Sequence, residues 1–98
     1  MNTLKNASFR FVIFKENDQW HGAALEANIV KTGSTPEEVL LLLNEAMTGY
    51  FLTAQDIKDE SILNQEPDPE YIERWEEGNA TPAPANIFEA GRRNLIPA

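Results

Sequence analysis

The chain has 98 residues, 16 acidic against 8 basic side chains, a formal net charge of −8, one histidine and no cysteine. Missing cysteines exclude disulfides, thiol catalysis and thiolate metal sites, and a single histidine leaves most zinc arrangements short of ligands. The acidic balance argues against direct nucleic-acid binding, which needs cations to release phosphate counterions, and suits a basic partner.

The length fits one small domain with one sheet and one or two helices. No run is apolar and long enough to cross a membrane, and the N-terminus has no basic, apolar leader; a cytoplasmic location is expected. After a polar start, Phe9-Arg10-Phe11-Val12-Ile13-Phe14 is rich in aromatic and β-branched residues and predicts a strand over residues 8–15. Phe9, Phe11 and Ile13 point to one face and Arg10, Val12 and Phe14 to the other, so both faces need cover. Lys15-Glu16-Asn17-Asp18-Gln19 is a hairpin turn. A returning strand over 20–26, a turn at Ala27-Asn28 and a short third strand over 29–32 complete a meander.

The stretch from Thr32 onward holds every signal of a helix start. Thr35 is the N-cap, Pro36 takes the first helical position, and Glu38 stands where it completes a capping box. Glu37 and Glu38 sit at the positive end of the helix dipole. Gly33 is expected to take a positive φ where strand turns into helix. At about 100° per residue, Val39, Leu43, Tyr50 and Ala54 share a meridian flanked by Leu40, Met47 and Phe51 on one side and by Leu42 and Ala46 on the other. That wide arc suits a helix lying on a sheet. Leu41 and Leu52 fall outside it, and either another element covers them or they form an exposed contact patch.

Residues 56–63 read equally as more helix or as a short strand. Asp68 and Pro69 then open a short helix, about 69–77, with Tyr71, Ile72 and Trp75 as its apolar stripe and Gly78 past its end. Two turns are not stable alone, so this helix must dock, and Trp75 is expected to cover Leu41 and Leu52. Thr81-Pro82-Ala83-Pro84-Ala85 is an extended linker. The tail carries Ile87, Phe88, Leu95 and Ile96, enough to dock but too little to fold. The fold class is thus α+β, a three-stranded antiparallel meander packed by one long helix, with a short C-terminal helix and tail.

A hairpin with a polar turn, a short third strand, Thr32-Gly33-Ser34-Thr35-Pro36-Glu37-Glu38-Val39 and a helix containing Asn44-Glu45-Ala46 together resemble the HicB antitoxin family over about residues 9–52. In that family a strand ends in Gly, a small polar residue and Thr-x-Glu-Glu-Ala. Gly33, Ser34, Thr35, Glu37 and Glu38 match, and Val39 replaces the usual Ala. The resemblance implies a β-β-β-α core of partial ribonuclease H type, often dimeric. It also implies a small basic partner, a HicA-like mRNA-cleaving toxin of double-stranded-RNA-binding fold. Two departures stand out. The family's Pro-Asp-x-Pro-Gly motif between the second and third strands is replaced by Leu25-Glu26-Ala27-Asn28-Ile29. No segment after Leu52 reads as a helix-turn-helix or ribbon-helix-helix. The division expected is a HicB-like domain over residues 1–63 and an acidic extension over 64–98 with no DNA-binding domain.

No enzyme is expected. His21 lacks a sequence neighbour that would make it a catalytic base and reads as a surface histidine. A ribonuclease H metal centre starts from a carboxylate on the first strand, and this strand has none; Glu37, Glu38 and Glu45 are explained by capping and solvation. No metal or cofactor is expected. Arg92-Arg93 reads as a solvated turn or an intrachain partner for the acidic body. The expected function is a non-enzymatic antitoxin that occludes the RNA-binding face of a HicA-like toxin. The alternative is an orphan dimeric binding or adaptor domain with no toxin. With the long helix committed to the sheet, the partner contacts are expected around Asp18, Trp20 and Glu26. A homodimer is expected from the two apolar faces of the first strand together with Leu41 and Leu52.

Overall fold

A computed structural model describes residues 1–97. The elements in order are β1 (Ala7–Glu16), β2 (Gln19–Ala24), β3 (Ile29–Gly33), α1 (Pro36–Ile57), one turn of 3-10 helix (Glu60–Leu63), α2 (Pro69–Gly78) and β4 (Ile87–Leu95). The four strands form one antiparallel sheet in the order β3-β2-β1-β4. The hairpin closes through Asn17 and Asp18, both in the left-handed region at φ 54° and 60°, the twist that matches flanking strands.

Alternation along β1 sets the layering. Phe9, Phe11 and Ile13 are buried with Val39, Leu43, Met47, Phe51 and Ala54 of α1 on one face. Val12 and Phe14 are buried with Ala23 and Leu25 on the other, under Tyr71, Ile72 and Trp75 of α2. Both faces of β1 are therefore covered within the chain, which removes that motive for self-association. Sealing the α1 stripe contributes on the order of 10 kcal/mol, as an upper estimate. Relative to the expected meridian the stripe is turned toward Met47 and Phe51, and Tyr50 is half-buried, held by Gln65.

The start of α1 follows the expected chemistry with one correction. Thr35 Oγ1 accepts from the Glu38 amide at 3.2 Å, and Pro36 occupies the first turn. Gly33, however, has no positive φ. Its role is close approach, since a Cβ there would lie 2.6 Å from Glu38 Oε1 and 3.1 Å from Val39 Cγ2. The helix stops at Lys58, left-handed at φ 55°, and Asp59 caps the 3-10 turn that follows.

Two expectations about the C-terminal third are corrected. Asp68 and Pro69 open α2 as read, but the helix docks on the sheet face opposite α1, not over Leu41 and Leu52. Its stripe answers the unmatched face of β1, the larger apolar surface. The tail does not merely dock; it pairs with β1 from Ala7↔Leu95 to Phe14↔Ile87, with an irregularity at Ile13/Phe14. The sheet runs across the boundary expected at residue 63, and residues 64–98 contribute one of its strands and one of its covering helices.

Candidate functional site

Two surfaces stand out, one on each side of the sheet. The first is α2. Trp75 lies against the sheet, its Nε1–H donating to the Gly91 carbonyl at 2.9 Å. The guanidinium carbons of Arg10 and Arg92 lie 5.4 and 5.3 Å from its ring centre. Those arginines are register partners across β1 and β4, a like-charge pair that would repel if bare. The indole ring, and Glu26 at 2.6 Å from Arg10 Nε, offset that repulsion. The residue before Trp75, Arg74, stacks its guanidinium 4.0 Å from the Phe14 ring centre and pairs with Glu16 and Glu70. Burial pushes the Tyr71 hydroxyl pKa up from its ordinary value, and the Glu70 and Asp68 carboxylates add to the shift.

Each of the four arginines has a partner within the chain, Arg93 through Thr48 Oγ1 at 3.2 Å, although Arg92 stays exposed beside the Trp75 ring. The approach to α2 and its outer face carry Glu66, Asp68, Glu70, Glu73, Glu76 and Glu77, all exposed, with no lysine among residues 66–80. Glu16 and Asp18 at the hairpin end join this surface through the Arg74–Glu16 pair.

The second surface lies on the α1 side. The helix sits mainly over β3 and β2 and barely touches β4, leaving an open groove of about 450 Å³ lined by Asn44, Glu45, Thr48, Gly49, Leu52 and Arg93. Leu52 stands on its α1 wall, 52% exposed, and Leu41 is 59% exposed elsewhere on the same helix. Of the two alternatives for these leucines, cover by another element is not found among the described residues, and both are exposed.

Asp18, Trp20 and Glu26 are not brought together. Asp18 is exposed at the hairpin tip. Trp20 packs on the α1 side, edge-on to Phe88 at 6.2 Å between ring centres. Glu26 lies beyond the far end of β2, its carboxylate engaged by the Arg10 amide and Nε. The Glu26 side chain is thus held by Arg10, and Asp18 alone of the three is exposed, at the hairpin end that Glu16 ties to α2. His21 is half-buried and stacked on Phe14 at 5.4 Å. Among the described residues, no group of three or more His, Asp or Glu side chains could hold a metal ion, and no helix is long and apolar enough to cross a membrane. The acidic run of α2 was visible in the sequence as composition; the groove was not, because it depends on β4. Comparison with protein-family models, with curated proteins and with solved structures finds no match, so the likeness to HicB rests on the residues quoted above alone.

Proposed function

We propose that this chain is a non-enzymatic binding protein of the HicB antitoxin type, acting by covering the basic RNA-binding face of a small HicA-like toxin. The observation that carries the reading is the segregation of charge: arginines drawn onto rings and carboxylates within the fold, and an outer α2 face of carboxylates without lysine. A surface of that kind speeds encounter with a basic protein and weakens with salt. The β-β-β-α order and the Thr35–Glu38 cap are in keeping with the resemblance over residues 9–52. The contact surface is α2 with Glu16 and Asp18, in place of the patch around Trp20 and Glu26.

The test is to look for an adjacent reading frame that encodes a small basic protein and to co-express it with this chain. Co-purification and rescue of growth are expected, and Glu73→Lys with Glu77→Lys together should weaken capture at least tenfold, as several lost charge contacts do. A second reading, a homodimeric adaptor domain with no toxin, is favoured by the unpaired outer edge of β4. It takes over if the basic neighbour is missing or is not neutralised.

A further inference from the structure

β4 is an edge strand of nine residues. Arg10 donates its amide to the Glu26 carboxylate and accepts from the Leu25 amide, both on the β2 side. Antiparallel ladders alternate, so Phe9, Phe11 and Ile13 turn their backbone groups to β4. Their register partners Arg93, Gly91 and Glu89 are the residues bonded to β1. The amides and carbonyls of Ala90, Arg92 and Asn94 therefore point outward, and among the described residues none has a backbone or side-chain partner across that edge. An open edge of this kind is a template for another strand.

The strand is also complementary to itself. Antiparallel pairing of two copies about Gly91 sets Ala90 opposite Arg92 of the partner subunit, as hydrogen-bonded pairs. It sets Glu89 opposite Arg93 of the partner subunit, as the closer non-hydrogen-bonded pairs. Both side chains of that pair lie on the α1 face, where Glu89 is exposed and Arg93 Nε is buried without a partner. Moving the axis to Ala90 or Arg92 puts Glu89 opposite Gly91 or Leu95 and loses both ion pairs.

We propose that β4 is a homodimer interface, with two chains joined antiparallel about Gly91 and Glu89 of each on Arg93 of the other. The result is one eight-stranded sheet with both copies of α1 on the same face, their Leu52 walls flanking a shared cleft. This interface does not depend on the toxin reading, since it uses the edge and not the acidic outer face of α2.

The register permits a discriminating experiment. Sedimentation equilibrium in the micromolar range should give twice the chain mass of 11.0 kDa. Glu89→Arg and Arg93→Glu each place like charges in both pairs and should raise the dissociation constant by roughly thirtyfold or more. An equimolar mixture of the two variants restores opposite charges in both pairs and should re-form a dimer. Gly91→Cys adds the chain's first thiol at a position where a Cβ meets only the Phe11 ring at 3.5 Å. Opposed Cα atoms about 4.5 Å apart there lie within disulfide range, so mild oxidation should cross-link the dimer. If Arg93→Glu does not fold, the Gly91→Cys result decides alone. A monomeric wild type, a mixture that stays dissociated, or a Gly91→Cys chain that does not cross-link overturns the proposal.

Discussion

Trp75 holds more of the sheet together than its half-buried surface suggests. Its ring lies beside two arginines that face each other across β1 and β4, and its N–H ties α2 to Gly91. Trp75→Ala should lower unfolding stability by about 2–4 kcal/mol in urea titrations, somewhat below the range for a fully buried aromatic site because the ring is half-buried. Trp75→Phe should recover most of the packing but not the hydrogen bond, about 1 kcal/mol. Asp59 offers a second test at this scale. The Ser61 hydroxyl and amide both donate to its carboxylate, holding its pKa below the ordinary 3.8. Because the folded-state pKa is depressed, the cap's contribution is complete above the unfolded pKa and is lost as pH falls through the folded one. An NMR titration should find Asp59 below 3.8, and Ser61→Ala should move it upward.

At the scale of elements, α1 is fastened to the sheet at its first turn. A Cβ on Gly22 would lie 2.5 Å from Val39 Cγ1 and 3.3 Å from Leu43 Cδ2, and the Thr35 cap leaves that turn little room to retreat. Gly22→Ala should therefore destabilise by about 1–3 kcal/mol, measurable as a lower urea midpoint with an unchanged slope. The meander and α1 were legible because their signals are local: alternation over Phe9 to Phe14, polar turn residues, and Thr35-Pro36 before an apolar period. α2 was legible as a helix from Asp68-Pro69, but not its docking face, which depends on which apolar surface of β1 stands empty. β4 was not legible. Gly91, Arg92 and Arg93 interrupt its alternation, and what makes it a strand is the free edge of β1. The groove beside α1 was hidden for the same reason, although Leu52 marked one of its walls.

For the whole molecule, β4 completes the sheet and α2 covers one of its faces. Removing everything after Ala80 uncovers the β1 edge along with one side of Phe9 and Phe11, whose register partners are Arg93 and Gly91. The shortened chain should lose its cooperative thermal transition and aggregate through that edge; a sharp transition at the full-length midpoint would mean that the meander and α1 stand alone. Arg10, Arg74 and Arg93 lie partly under cover, and the proposed function rests on the acidic outer face of α2 meeting a basic protein. The measurement that bears on this most directly is the affinity for any small basic protein found encoded beside this chain, with growth rescue scored in parallel and salt varied. Tight binding that falls steeply with salt, and that fails when Glu73 and Glu77 are both changed to Lys, is the expected result. Binding indifferent to salt and to those two changes, or no binding and no rescue, would contradict it.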